Sequence, residues 1–352
     1  MNNDRAMIGK ITLLITATIV SVGVAEVAVR SFYFVSPGSK VGEECRSYSL
    51  YTWVPPFDFF EEVDRPLQLG YVHKPGSAAM YRGYEIKINS QGLRDREYSV
   101  VKPPNTYRIA VLGDSVTFGF GVAADMSYPE IIERKLLNRA TGKNVEVINF
   151  SVTSYNSRQE LILLKEKALA YKPDLIILGY HLNDIHPLWT LPVPSSTVSF
   201  FRGHSYLFNC AFNTILSLDA QEVRRQIASS YKELYGEGSE TWHSQVNVLE
   251  GFAQVSKDTQ TPLLVVLLPI WEDLNNYPFK GIHALLGRTM QAKGLYVLDM
   301  LSEVENLNGL EYTIDSKDPH HPNADGHERI AEAIYAKLIK EGLLPSPIHA
   351  GE

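Results

Sequence analysis

Along most of this chain, apolar residues fall into two alternating patterns. Short continuous runs occur at 107–112 (YRIAVL), 145–150 (VEVINF), 174–179 (DLIILG), 262–268 (PLLVVLL) and 295–299 (LYVLD). Longer stretches near 127–141, 157–171, 242–258, 280–293 and 324–341 repeat apolar positions at helical spacing. A strand with one face in water alternates apolar and polar residues, whereas a strand covered on both faces does not. The five runs therefore predict a parallel sheet, and the helical stretches predict the layers that cover it. The predicted fold class is α/β: a three-layer α/β/α flavodoxin-like domain with about five parallel strands, over residues 101–345.

Two segments depart from this rhythm. Residues 185–240 separate the third and fourth runs by more than a simple crossover needs, open with Pro187, Pro192 and Pro194, and turn helical in character over 213–235. They predict an insertion or lid, with a purely structural excursion as the alternative. Residues 36–100 are rich in aromatics and proline, including Tyr51, Trp53, Phe57, Phe59 and Phe60. Such a stretch is too apolar for a free linker and predicts an approach segment packed on the main domain. Within it, Ile88-Asn89-Ser90-Gln91-Gly92-Leu93-Arg94-Asp95 predicts a strand end followed by a turn at Gly92.

The amino terminus carries a third pattern. Residues 11–25 (ITLLITATIVSVGVA) are uncharged and apolar, and Val27, Ala28 and Val29 continue the run past Glu26. Arg5 and Lys10 precede it. A span needs about 20 apolar residues with positive charge on the inner side. With no clear small-residue cleavage site following, residues 1–35 predict an uncleaved single-pass transmembrane helix with the body on the outer, periplasmic or extracellular side. The alternative is an amphipathic helix packed on the domain, for which Glu26 is the best support.

Composition narrows the classes further. With 352 residues and 45% hydrophobic content the chain can bury a large core. A formal net charge of -7 provides no basic field for nucleic acid, and no nucleic-acid partner is expected. Two cysteines, Cys45 and Cys210, are too few for a disulfide scaffold, and whether they pair is open.

The chemistry concentrates where strands end. In an open parallel sheet, ligands bind beyond the carboxyl ends of the strands. The first run ends in Gly113-Asp114-Ser115, the second is followed by Ser151 to Asn156, and the third by Asn183-Asp184. Asp318-Pro319-His320-His321 precedes the last helical stretch. A serine hydroxyl becomes a nucleophile only when a base takes its proton. His321 is the candidate base, and Asp318, three residues earlier in what reads as a tight turn, can hold its other ring nitrogen. His320 is the close competitor. Developing negative charge requires fixed donors, for which the Ser115 N–H, a backbone N–H near Ser154 and the Asn183 amide are candidates, with Asp114 and Asp184 in support. No cofactor or metal is expected. Gly119-Phe120-Gly121-Val122-Ala123-Ala124 fits a dinucleotide fingerprint formally but lies past the strand turn, and no phosphate loop or finger-like ligand spacing is present.

At these residues the chain resembles the SGNH, or GDSL-like, hydrolases. Gly113-Asp114-Ser115 is similar to the family's first block, Asn183-Asp184 to the end of its third, and Asp318-Pro319-His320-His321 to its Asp-x-x-His block, continued by Gly326-His327. The likeness spans about 107–340, and both Asn89 to Asp95 and the anchor look like those of membrane-anchored bacterial members. In two places the family's glycine is replaced: by Ser154 in the second block and by His181 in the third. The resemblance implies a serine nucleophile at Ser115, catalytic His321 and Asp318, and oxyanion donors at Ser115, Ser154 and Asn183. It implies an esterase that cleaves carboxylic esters, O-acyl or O-acetyl, through an acyl-enzyme on a small molecule or envelope glycan. An O-acyltransferase working with envelope-assembly proteins would need the same residues. A non-catalytic scaffold is the third reading, supported by Ser154 and His181.

Overall fold

The five apolar runs pair into one sheet in the computed structural model, which describes residues 20–29, 31, 60–62, 69–81, 84–137, 144–186, 207, 229–315 and 318–345. The strands are β5 (Thr106–Gly113), β6 (Asn144–Asn149), β7 (Leu175–His181), β8 (Leu263–Leu268) and β9 (Tyr296–Asp299). They follow four short strands described below, all pair in parallel, and lie in the order β6-β5-β7-β8-β9. Every residue of β5, β7 and β8 is buried, which is why these runs lack alternation.

The helices are a one-turn α1 (Ser115–Phe118), α2 (Tyr128–Leu137), α3 (Ser157–Glu166), α4 (Glu240–Thr259), α5 (Lys280–Ala292), a short α6 (Leu301–Val304) and α7 (Ala324–Lys340). From β5 the chain first crosses outward to β6 and then back past β5 to β7. Right-handed crossovers therefore send α2 to one face and α3 and α4 to the other. In agreement, α2 packs on α7 and α3 packs on α4. The reversal leaves a crevice between the carboxyl ends of β5 and β7, where such sheets bind ligands. The pattern over 157–171 splits in two: α3 stops at Glu166, and a 3-10 turn, Ala168–Tyr171, follows it.

Six short strands carry no usable periodicity in the sequence. β1 (Phe60–Glu62) pairs with β2 (Tyr71–His73), β3 (Ala78–Tyr81) with β4 (Tyr84–Lys87), and β10 (Thr313–Asp315) with β11 (Asp318–Pro322). Three to five residues are too few for a pattern, and β11 holds two prolines, which argue against a strand. The tight turn expected at Asp318–His321 is thus corrected to an extended segment. The turn expected after residue 88 is present: Asn89 Oδ1 accepts from the Gln91 and Leu93 N–H groups, both at 2.9 Å.

The chain divides into two units, Met1–Val54 with Pro192–Gln226, and Pro55–Leu191 with Ile227–Glu352. The sheet and everything discussed around it belong to the second. Of the first, the structure describes a helical stretch over 20–29, residue 31 and Leu207, whose N–H donates to Glu26 Oε2 at 2.9 Å. Most of the anchor predicted over 1–35, Cys45, Cys210 and the centre of the 185–240 insertion lie outside the described residues. Among the described residues, no helix is long and apolar enough to cross a membrane.

One packing detail seats the first strand turn. Gly113 and Gly179 are cross-strand partners in the β5–β7 ladder. The hole left by their missing side chains takes Thr117, whose hydroxyl meets the Tyr128 hydroxyl at 2.8 Å. A Cβ on Gly179 would sit 2.4 Å from Thr117 Oγ1 and 2.5 Å from Tyr128 Oη, and one on Gly113 would sit 2.0 Å from Thr117 Oγ1. Overpacking of this kind costs about 1–3 kcal/mol. Gly179→Ala is expected to lower Tm by roughly 2–4 °C per kcal/mol lost, in a thermal melt. An unchanged Tm would remove this account of the glycine pair.

Candidate active site

The turn that carries Ser115 is built from local chemistry. Asp114 caps α1, its carboxylate accepting from the Val116 N–H at 2.9 Å. The turn is then held from three sides. Thr117 fills the glycine hole from above the sheet. Asn149, the last residue of β6, donates its amide to Thr117 O at 3.1 Å. Arg94, buried in the approach segment, donates to the carbonyls of Phe118 (3.0 Å), Gly119 (2.6 Å) and Val122 (2.8 Å). A guanidinium holds its N–H donors in a rigid fork with no acceptor, so these three carbonyls are tied to one another through it. Arg94 therefore locks the approach segment to the turn carrying Ser115.

Strand β11 brings the imidazole from the far end of the chain. His321 Nε2 lies 3.1 Å from Ser115 Oγ. Its Nδ1 lies 2.8 Å from both carboxylate oxygens of Asp318. Because a carboxylate only accepts, a neutral ring here carries its proton on Nδ1 and presents the Nε2 lone pair to the hydroxyl. Asp318 Oδ1 also takes the N–H groups of His320 (3.2 Å) and His321 (3.3 Å), which fixes the carboxylate itself. The Trp271 N–H donates to Pro319 O at 2.7 Å and moors the segment to the end of β8. Phe120 packs on the His321 ring at 5.0 Å between centroids. His320 faces the His181 ring instead, at 5.4 Å between centroids.

The remaining predicted residues gather on the same rim. Asn183, in the 3-10 turn Leu182–Ile185, donates its side-chain amide to Asp114 Oδ2 at 3.2 Å. Asp184 is buried and accepts the His181 N–H at 3.2 Å. Ser154, where the family has glycine, holds φ at 62°, in the left-handed region. That conformation costs a non-glycine residue roughly 1–2 kcal/mol. The N–H groups of Ser115 and Ser154 are taken by no other described residue.

The GDSL-like Lipase/Acylhydrolase family model matches residues 111–329, more than half of the 352-residue chain. This protein belongs to that family. Membership makes it a serine ester hydrolase. A curated relative, the uncharacterized protein YpmR of Bacillus subtilis (strain 168), is 23% identical over 261 residues, 73% of this chain and 91% of that one. Among solved structures, TesA is similar at 14% identity and a TM-score of 0.44, over 67% of this chain and 99% of its own. The two-domain esterase CEX, active on acetylated mannans, is similar at 16% identity and 0.44, over 70% of this chain and 52% of its own. A variant of Axe2, an acetyl-xylooligosaccharide esterase from Geobacillus Stearmophilus, gives 14% and 0.43, over 68% of this chain and 95% of its own.

Several residues of this acylhydrolase were not predicted from sequence. Arg94 stood in a motif already noticed, so its signal was present and its role was not. Phe120 and Thr117 carried none, because an apolar or small residue near a turn has no distinctive pattern. His327 accepts the Tyr128 N–H on Nδ1 at 3.2 Å, tying α7 to the start of α2. Burial, with Arg94 and His321 adding, pushes it down to about 3, so it is neutral. His320 is also pushed down to about 3, by burial first and then by His181.

Glu160 on α3 is a second surprise, completely buried near Asp184 and Asp114. Burial is the main cause that pushes the Glu160 and Asp184 carboxyls well above their usual range; Asp114 adds to each, and Glu160 adds to Asp184. Unfolded, these groups ionise near pH 4. Folded, they keep their protons to much higher pH, so the native state binds more protons than the unfolded chain across that interval. Stability from this pair is therefore present at low pH and is lost as pH rises toward the folded pKa values. Glu160→Gln, which keeps the neutral shape permanently, is expected to raise Tm at pH 8 and to change it little at pH 4. Equal shifts in melts at the two pH values would discard this explanation.

Proposed function

We propose that this acylhydrolase cleaves O-acyl esters, of which O-acetyl is the best candidate, through an acyl-enzyme on Ser115. The carrying observation is the 3.1 Å approach of His321 Nε2 to Ser115 Oγ with Asp318 on the opposite ring nitrogen. In the reading we favour, His321 takes the serine proton as Oγ attacks the ester carbonyl, then delivers it to the leaving alcohol. A water molecule, activated by the same imidazole, releases the acid. The Ser115 and Ser154 N–H groups and the Asn183 amide are assigned to the oxyanion. Their free or rim-facing donors support that role.

The substrate we assign is an acylated envelope glycan or related molecule, met by a body tethered outside the membrane through residues 1–35. The support is the apolar run over 11–25 with Arg5 and Lys10 before it. A panel of aryl and glycan acyl esters of increasing chain length tests the reading on the full chain. Acetate release with the shortest acyl group is the expected result, and failure on every ester would overturn it. Acetate appearing on an added sugar instead of in solution would turn the hydrolase into an acyltransferase. Removing residues 1–35 should free the protein from membranes, and retention there would refute the anchor.

A further inference from the structure

The residue that replaces the family's third-block glycine touches the site's amide. His181 closes β7 and is 1% exposed. Its Nδ1 lies 2.6 Å from Asn183 Oδ1. An amide oxygen only accepts, so the proton at that short distance sits on Nδ1. The Asn183 backbone nitrogen, 3.5 Å from the same atom, is too distant to compete. The other ring nitrogen, Nε2, is buried with no hydrogen-bond partner among the described residues. A bare acceptor is easier to bury unpaired than an N–H, which agrees with this tautomer. Desolvation pushes the ring's pKa down, so it is neutral.

The other end of the amide is fixed as well. Asn183 Nδ2 donates to Asp114 Oδ2 at 3.2 Å, and a carboxylate cannot accept from an oxygen. His181 and Asp114 therefore hold opposite ends of one amide, forbidding its flip and leaving the second Nδ2–H for the reacting carbonyl. Glycine at 181 would offer no side chain to do this. We propose that His181 is a positioning residue, which sets the Asn183 amide for transition-state charge by donating its Nδ1–H to Asn183 Oδ1. The proposal rests on the oxyanion role given to Asn183 above. The hydrogen bond also polarises the amide, which makes its N–H groups better donors. Donors aimed before the reaction act on the transition state and not on ground-state binding, so the effect belongs in kcat.

The test uses the full-length enzyme and an aryl acetate, with Tm recorded for each variant. His181→Ala should lower kcat about tenfold and leave KM unchanged, a fraction of the 10²–10³ that one oxyanion donor supplies. His181→Asn places an amide nitrogen where Nδ1 stood and should recover most of the loss. His181→Gln places it where Nε2 stood and should not. If the alanine variant fails to fold, this pair decides, since both keep a polar side chain. In an Asn183→Ala background, His181→Ala should cost nothing more. Wild-type kcat in His181→Ala, equal rates in the Asn and Gln variants, or additive losses would each overturn the proposal. Full kcat in Asn183→Ala, with Ser115→Ala inactive, would remove the oxyanion role and His181 with it. A loss in Asn183→Ala alone would refute His181 and spare the function.

Discussion

Alanine at Ser115 is expected to abolish ester hydrolysis, lowering kcat by about 10⁴–10⁶. Alanine at His321 should cost about as much. In the proposed mechanism the two side chains act as one unit, with the 3.1 Å contact between Nε2 and Oγ as the path by which the proton leaves. The double variant should therefore be no worse than either single one. That non-additivity is the informative part of the measurement. The residual rate comes from donors that survive both substitutions, the backbone N–H groups and the Asn183 amide. Covalent labelling by a fluorophosphonate should vanish in Ser115→Ala and fall sharply in His321→Ala, with both Tm values near wild type. A Ser115→Ala protein that still turns over ester would place the nucleophile elsewhere. An active His321→Ala beside an inactive Ser115→Ala would pass the proton to another base, for which His320, facing away toward His181, is poorly placed.

The sheet was legible because its strands are buried on both faces. A run such as Leu263 to Leu268 has no reason to be uniformly apolar in any half-exposed setting, and its boundaries follow directly. The rule that ligands sit beyond the carboxyl ends of parallel strands then pointed to Ser115 and Asn183, whereas the strand order that puts the switch between β5 and β7 is seen only in the structure. Local rules failed for the short pairs. Asp318–Pro322 has the composition of a turn, yet it runs extended because β10 pairs with it and the Trp271 N–H holds Pro319. What no sequence rule expresses is the support around the site. Arg94 has three carbonyls to bind only because α1 ends there. Thr117 has a hole to fill only because Gly113 and Gly179 pair across a ladder. Ser154 adopts a left-handed backbone because the turn after β6 requires it, at a local cost that functional loops commonly carry.

Asp318→Asn isolates the orienting carboxylate from the rest of the segment, and its expected cost is of the order of 10³–10⁴ in kcat. Alanine would be a poorer probe. It would leave the part-buried His320 N–H and the buried His321 N–H without the oxygen they now share, mixing a folding defect into the kinetics. Asparagine keeps an oxygen for those donors but offers only one acceptor where His321 Nδ1 now meets two. If that oxygen stays with the backbone, the amide NH₂ faces Nδ1, which must then give up its proton and accept. The proton moves to Nε2, and the ring donates to Ser115 Oγ when catalysis needs it to accept. The lost charge also removes stabilisation of the imidazolium that forms as serine attacks. Tm should change little and KM should hold, so the defect should appear almost wholly in kcat. Wild-type kcat in this variant would reduce the machinery to Ser115 and His321, with Asp318 left as a bracket for the backbone of β11.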